Sequence, residues 1–214
     1  MAAARDVVII GGGHNGLVAA FYLARAGRRP LVLERRPVVG GAAITDEFHP
    51  GFRVSTLGAL CGPLRPVVAA DMRLERHGLQ MIESDTRLFA PAPDGRSVLL
   101  YGDARRSAEG IARLSGHDAE RYLEFQQALT RIVAAVDGLL TTTPPDIERP
   151  TAADLWALLK TGRRVRGLET RDFYRLLRWA PMAVADLVAE FFDTDLLRAA
   201  LAGRGVFGTF LGPW

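Results

Sequence analysis

Residues 7–36 read VVIIGGGHNGLVAAFYLARAGRRPLVLERR, and this stretch decides the fold. Three adjacent glycines cost backbone entropy and offer no side chain to pack, so the bare backbone must itself be needed there. The apolar run at 7–10 predicts a short strand that is buried on both faces. Apolar residues at helical spacing then predict a helix that Gly27 ends. Pro30 opens a second strand, which runs to Leu33 and ends in Glu34.

Within this strand–helix–strand unit, Gly11, Gly13 and Gly16 have the spacing G-x-G-x-x-G. The first glycine allows a tight turn, the second lets a pyrophosphate approach the backbone, and the third lets helix and strand pack closely. The N-terminus of the helix offers free N–H groups and a partial positive charge to phosphates. Glu34 lies 18 residues past Gly16, where its carboxylate can accept hydrogen bonds from ribose hydroxyls. This context favours dinucleotide binding over a glycine-rich turn that serves packing alone.

A longer pattern indicates which dinucleotide binds. Glu34 disfavours a 2′-phosphate by charge repulsion, although Arg35 and Arg36 beside it weaken that argument. A second glycine pair, Gly40-Gly41, follows six residues beyond Glu34. The stretches GGGHNGLVAA, LARAG, VLERR and VGGAA together resemble the phytoene-desaturase-related flavoproteins. That group includes carotenoid desaturases, carotene isomerases, a β-carotene ketolase type and the pyridine nucleotide-disulfide oxidoreductase domain-containing protein 2. The resemblance covers essentially the whole chain, densely in the first 60 residues and loosely after about residue 100.

The resemblance implies that FAD is the cofactor. It implies that Gly11, Gly13 and Gly16 cradle the pyrophosphate and that Glu34, with Arg35 beside it, holds the adenosine ribose. The second glycine pair, with Ala42, would give the flavin diphosphate another close approach.

Two groups of residues remain open between a cofactor role and a structural one. His14 and Asn15 either meet the phosphate or the flavin edge, or cap the helix. Ser55, Thr56 and Gly58 either line the flavin pocket or form a plain loop.

The implied activity is hydride transfer between flavin N5 and a C–H or C=C bond of an apolar small-molecule substrate, for which a polyene is one candidate. No catalytic residue is predicted, because in flavoproteins the cofactor carries the redox chemistry. Two alternatives stay open. One is an enzyme similar to the flavin amine oxidases, although that family usually has an Arg after the glycine pair, where this chain has Ala42-Ala43. The other is a non-catalytic nucleotide-binding or regulatory module.

The predicted fold class is α/β, with a Rossmann-type FAD-binding unit whose parallel sheet is incomplete. Residues 1–75 are predicted to begin the FAD-binding domain, and residues 76–214 to form part of a mostly helical substrate domain. A short helix is expected at 66–74, and Asp94-Gly95 between two strand-like runs predicts an antiparallel hairpin. Because the sheet lacks further strands, we expect a fragment of a protein more than twice as long.

The helical part of the chain shows clear start and stop signals. Ser115 and Asp118 predict a capping box. The helix that follows should bury one face, formed by Tyr122, Phe125, Leu129, Ile132, Val133, Val136 and Leu140. Thr151 and Asp154 predict the cap of the next helix, and turns are expected at Gly162, Gly167 and Pro181.

Composition limits the remaining function classes. The chain has 214 residues, of which 49% are hydrophobic, and its net charge is +3. Acidic residues are interspersed with the arginines, which argues against nucleic-acid binding. The single Cys61 suits a reducing compartment, and it is interpreted as a small buried hydrophobe rather than a nucleophile. The start of the chain leaves no room for a signal peptide, so a cytoplasmic location is expected. The scattered histidines lack ligand spacing, so no metal site is predicted, and no oligomeric state is predicted either.

One segment, residues 160–182, combines seven basic and two acidic residues with interleaved aromatic and leucine side chains. Interpreted as a basic amphipathic helix, it predicts peripheral contact with a membrane. The alternative is a helix that packs on the substrate domain and leaves its arginine face in water.

Overall fold

The computed structural model describes residues 4–55, 64–138, 144–146, 148–206 and 212. The predicted positions Thr56, Gly58, Cys61 and Leu140 lie outside these ranges. The chain divides into two compact units, residues 1–82 and 83–214, and each is described by itself. The division between FAD-binding and substrate domains at residue 75 stays a prediction.

The first unit begins with the predicted βαβ arrangement, which confirms the α/β class. Strand β1 (Val7–Ile10) is followed by helix α1 (His14–Arg25) and strand β2 (Pro30–Leu33). The two strands are parallel, with Val7 opposite Pro30 and Ile10 opposite Leu33. Gly27, just past the helix, has a φ of +77°, the left-handed conformation that ends many helices.

The prediction that β1 is buried on both faces is wrong. Its side chains alternate, and Val8 and Ile10 are 56% and 88% exposed. The helix α1 packs on one side of the two-stranded sheet, and no described element of this unit covers the other side. A β-branched run of this kind is typical of a parallel strand whose sheet has helices packed on both faces. Among the described residues of this unit, a helix covers only one face.

After a short 3₁₀ turn at Gly41–Ala43, the chain forms a hairpin that the sequence analysis missed. Strands β3 (Thr45–His49) and β4 (Phe52–Ser55) pair antiparallel. The signal was the Pro50-Gly51 dipeptide between them, since Gly51 has a φ of +82°. Ser55 is therefore the last residue of a strand.

The expected helix at 66–74 is shorter than predicted. Helix α2 spans Pro66–Asp71, and a separate 3₁₀ helix covers Leu74–His77. Between them Arg73 has a φ of +52°, which breaks the helix. The Tyr22 hydroxyl donates to Asp71 Oδ2 at 2.8 Å, which ties α2 to α1.

The second unit opens with the predicted hairpin. Strands β5 (Thr86–Pro91) and β6 (Ser97–Tyr101) pair antiparallel, and Gly95 in their turn has a φ of +84°. Helices α3 (Ala104–Ile111) and α4 (Gly116–Val136) follow. One face of the hairpin packs on the helices through Val98 and Leu100, which are both buried.

Helix α4 confirms most of its predicted buried face and corrects two details. Val133 is more than half exposed, and the small Ala128 and Ala135 are buried instead, because the helix packs closely there. Only half of the predicted capping box forms. The Ser115 hydroxyl accepts from Asp118 N–H, but Ser115 N–H donates to the carbonyl of Ile111.

The last four helices are α5 (Ala152–Arg166), α6 (Thr170–Trp179), α7 (Val184–Phe191) and α8 (Asp195–Gly205). The Thr151–Asp154 capping box is confirmed in both directions. Gly162 lies inside α5 and forms no turn, since the hydrogen-bonded ladder tolerates one glycine at modest cost. A break at residues 167–169 divides the segment 160–182 between two helices, so the single amphipathic helix predicted there is wrong.

An aromatic cluster forms the centre of the second unit. The centroid of the Phe125 ring lies 5.1 Å from that of Phe191 and 5.4 Å from that of Phe192. The Trp179 ring lies 5.5 Å from Phe191, and all three pairs are edge-to-face. Such pairs add to the apolar area they bury. Among the described residues, no helix combines the length and the apolar character needed to cross a bilayer.

Candidate functional site

The loop between β1 and α1 is held by its own glycines. Gly11 has a φ of +101° and donates its N–H to the carbonyl of Leu33 at 2.7 Å, which ties the loop to the end of β2. A Cβ on Gly16 would lie well inside the van der Waals contact distance to the Gly11 carbonyl oxygen. The turn and the close approach of helix to strand therefore both require glycine, for the reasons that the spacing predicts.

The N-terminus of α1 is open to a ligand. Its N-cap is Gly13, which has no side chain to accept from the first turn. The first N–H groups of an α-helix have no acceptor within the helix, so they are available to an anion. His14 and Asn15 stand in this first turn with exposed side chains. Because the N-cap position is Gly13, neither of them fills the capping role that the sequence analysis left open.

The second glycine pair lies directly against the first loop. Gly40 donates its N–H to the carbonyl of Gly12 at 2.8 Å, and Gly13 and Gly40 form a parallel bridge. A Cβ on Gly41 would come within 2.8 Å of the Gly13 Cα. Both Gly40 and Gly41 have left-handed φ values, +131° and +58°. The two glycine segments thus form one continuous bare-backbone surface, with the exposed Ala42 next to it.

Glu34 is fixed at the edge of this surface by two backbone donors. Its Oε1 accepts from Arg36 N–H at 2.9 Å and its Oε2 from Gly12 N–H at 2.6 Å. These N–H groups, that of Arg36 first, hold the pKa of the Glu34 carboxyl below its ordinary value. A carboxylate oxygen has two acceptor positions, so each oxygen keeps one for a further hydroxyl donor.

The two arginines after Glu34 differ in whether an acidic side chain of the protein binds them. The Arg36 guanidinium lies 3.5 Å from Asp46 on β3, an ion pair that draws it toward the hairpin. Arg35 is exposed, and no acidic side chain among the described residues forms an ion pair with it. Arg36 is thus committed within the protein, and Arg35 is available to a ligand.

Gly12 is the residue that the sequence analysis missed. It is buried, its N–H donates to Glu34, and its carbonyl accepts from Gly40. A Cβ there would lie 3.0 Å from the Val39 side chain and 3.2 Å from Glu34 Oε2. The motif G-x-G-x-x-G assigns no role to its second position. The only available signal was that the run contains three adjacent glycines where the motif needs two.

A second cluster of titratable groups lies in the other unit. His117 Nδ1 is 3.1 Å from Asp193 Oδ2 and 3.6 Å from Asp118 Oδ1. These three side chains are close enough to ligate a metal ion. The buried Asp118 carboxylate, however, already accepts from the N–H groups of Asp193 and Thr194, so it holds the segment that leads into α8. This explains why Asp118 completes no capping box with Ser115.

Comparison with known proteins identifies the chain's relatives. Residues 9–62, which contain the glycine surface and Glu34, match the family described as NAD(P)-binding Rossmann-like domain. The pyridine nucleotide-disulfide oxidoreductase domain-containing protein 2 of Rattus norvegicus is 36% identical over 97% of this chain. The chain is similar to this protein over nearly its whole length. The predicted resemblance is thereby confirmed.

Two bacterial relatives extend the comparison. One of the subunits of limonene dehydrogenase from Castellaniella defragrans is 45% identical over 57% of this chain and 23% of its own length. Hydroxyneurosporene desaturase of Rhodobacter capsulatus is 31% identical over 78% of this chain and 36% of its own length. The chain spans 38% of the rat relative. The general class that these relatives support is a flavin-type oxidoreductase with a flavin or nicotinamide cofactor.

Proposed function

We propose that this chain is the FAD-binding part of an oxidoreductase that acts on C–H or C=C bonds of an apolar substrate. The observation that carries the proposal is the carboxylate of Glu34, which backbone donors hold in its ionised form beside the glycine surface. An ionised carboxylate with spare acceptor positions suits the hydroxyls of an adenosine ribose and repels a 2′-phosphate.

The surrounding residues fit the diphosphate of the same cofactor. Gly11, Gly13 and Gly16 leave bare backbone and the positive end of α1 for the phosphates. Gly40 and Gly41 extend that surface, because they pack against the first loop without side chains. Any side chain along this line would keep a phosphate from the backbone N–H groups.

Four flanking residues complete the proposed cofactor site. His14 and Asn15 stand exposed at the start of α1, where their side chains can reach a phosphate or the flavin edge. Arg35 can approach the adenosine side of the ligand, because no acidic side chain among the described residues holds it. Ala42 leaves the approach beside the second glycine pair open.

When bound, FAD supplies a hydride-accepting position at N5 of the flavin. The residues described above bind and orient that cofactor, and no catalytic side chain is proposed. The names of two relatives support an apolar substrate, since one belongs to a limonene dehydrogenase and the other is a hydroxyneurosporene desaturase. Limonene is an unsaturated hydrocarbon with no charged or hydrogen-bonding group. We therefore propose an unsaturated apolar substrate for this chain as well, with a polyene as one candidate.

Fluorescence titration with FAD and with NAD tests the cofactor. We expect FAD to bind and NAD to bind poorly. Glu34→Ala removes charge-assisted hydrogen bonds to the ribose and should weaken FAD binding by about tenfold or more. The matched control is Glu75→Ala, because Glu75 is an exposed acid of the same unit, in a 3₁₀ helix. It should bind FAD as the unchanged chain does. Tight NAD binding without FAD binding would contradict the proposal.

The substrate is tested separately, on the whole oxidoreductase of which this chain is proposed to be the FAD-binding part, loaded with FAD. Anaerobic bleaching of the flavin absorbance after addition of limonene or of a carotenoid is the expected result. Bleaching by a primary amine, with no response to either hydrocarbon, would instead favour the enzyme class of the flavin amine oxidases.

A further inference from the structure

Helix α5 presents an apolar surface to the solvent. Its half-buried residues Ala157, Thr161 and Val165 recur every four positions, on the side that packs against α4. Leu155 and Trp156 stand away from that side and are 56% and 66% exposed. Leu158 and Leu159 are also about half exposed. None of the 15 residues of this helix is buried, which is unusual for a segment so rich in leucine.

Basic residues follow on the same helix, one turn further along. Lys160, Arg163 and Arg166 are exposed, and among the described residues none of them forms an ion pair. Arg163 lies seven positions after Trp156, so both side chains project from one face of the helix. Arg164 points elsewhere, because its guanidinium lies against Gly138. The outward face of α5 is thus apolar at its start and cationic at its end.

The arginines of α6 are engaged differently. The guanidinium groups of Arg171 and Arg175 both bind the carboxylate of Glu124 on α4. Arg178 binds Glu190 on α7. These residues neutralise acidic partners within the protein and offer little charge to a ligand. Of the basic segment 160–182, only the part that belongs to α5 remains available.

We propose that the outward face of α5 docks onto a membrane surface that contains anionic lipids. Exposed leucines and a tryptophan suit the boundary between headgroups and acyl chains, because indole has an apolar body and a polar N–H. Arginine and lysine bury their aliphatic stems while their charged ends reach lipid phosphates. The charge complementarity lies between the three exposed cations of α5 and an anionic leaflet. This inference does not depend on the proposed cofactor or substrate.

Co-sedimentation of the 214-residue chain with vesicles tests the charge part. We expect binding to phosphatidylcholine–phosphatidylglycerol vesicles that weakens with salt, and little binding to phosphatidylcholine alone. Each basic residue near an anionic surface strengthens membrane binding, and the effects of two residues multiply. The double variant Arg163→Gln with Arg166→Gln should therefore weaken binding about thirtyfold. The matched control is Arg105→Gln with Arg113→Gln, which removes the same charge from exposed positions near α3. That control should bind nearly as the unchanged chain does.

A second measurement tests the apolar part. Trp156→Phe keeps an apolar ring, so it should still bind vesicles but should lose most of the blue shift of tryptophan emission that binding produces. Leu155→Ser with Leu159→Ser should abolish binding, whereas Phe89→Ser, at an exposed aromatic residue of β5, should not. Circular dichroism of each variant checks that the helices remain folded.

Three results would overturn the proposal. The first is equal recovery of the chain in the supernatant with and without anionic vesicles. The second is equal loss of binding in the α3 control pair and the α5 pair, which would indicate attraction by net charge alone. The third is failure to bind vesicles together with retention on immobilised polyglutamate through Arg163 and Arg166, which would indicate an acidic protein partner instead.

Discussion

Replacing Gly41 by Ala tests whether the two glycine segments must lie in direct contact. The residue has a φ of +58°, and its new Cβ would come within 2.8 Å of the Gly13 Cα. The left-handed conformation costs an alanine about 1–2 kcal/mol. The clash is with backbone, which cannot rotate away, so the second segment must move and lose the hydrogen bond from Gly40 to Gly12. That loss adds about 1 kcal/mol, and the displacement itself adds more.

The matched control is Gly51→Ala, in the turn between β3 and β4. Gly51 has a φ of +82°, but a Cβ there would meet nothing within 4 Å. It therefore carries the conformational cost, about 1–2 kcal/mol, without the clash. In urea unfolding and in hydrogen exchange of the amides of α1, Gly41→Ala should lose about 2 kcal/mol more than Gly51→Ala. FAD affinity should fall in Gly41→Ala and stay unchanged in Gly51→Ala.

Equal losses of stability and equal FAD affinities in the two variants would contradict this prediction. The contact between the glycine segments would then be incidental, and Gly41 would be needed only for its backbone conformation. Unchanged stability in Gly41→Ala would also contradict the packing described for Gly13.

Two further predictions concern the second unit. The Arg131 guanidinium donates to the buried Asp172 and, with Arg175, holds the pKa of its carboxyl below its ordinary value. Because the pKa of this carboxyl is lower in the folded chain than in the unfolded chain, its ionised form stabilises the folded state at any pH above the unfolded pKa. This stabilisation should be present at neutral pH and be lost as the pH falls from about 5 through the folded pKa. Asp172→Asn should cost about 3 kcal/mol at pH 7 and flatten that acid dependence in urea titrations, whereas the exposed Asp186→Asn should change neither. Thr151→Ala removes a cap of α5 and should cost about 1 kcal/mol, measured as faster hydrogen exchange in the first turn of that helix and not in α4.

Local signals in the sequence were enough to predict most of the secondary structure. The β-branched run at 7–10, the glycine at the end of α1 and the Thr151–Asp154 box each act within a few residues of where they stand. Their effects follow from backbone sterics and from hydrogen bonds that the local chain can satisfy alone. The proposed cofactor residues could be selected for the same reason, because the glycine spacing and the acid that follows β2 belong to one strand–helix–strand unit.

Two of the errors arose where a residue had two possible partners and tertiary contacts selected one of them. Asp118 could have completed a capping box, but the segment that precedes α8 lies within reach and supplies two N–H donors to its carboxylate. The arginines of α6 were indistinguishable from those of α5 by sequence, until the acids of α4 and α7 were found beside them. An ion pair depends on which charged side chains the fold brings together. The spacing of residues along one helix does not show which acids of other helices lie beside it.

The sequence by itself determined the parallel βαβ unit, the turns that need glycine and the presence of an acid at the end of β2. Only the tertiary structure decided that Gly40 and Gly41 lie against Gly12 and Gly13, and that Gly12 holds the carboxylate of Glu34. The physical reason is the separation along the chain over which each effect acts. Backbone conformation is set by the atoms of neighbouring residues, whereas a contact between segments nearly 30 positions apart depends on where the folded chain brings them.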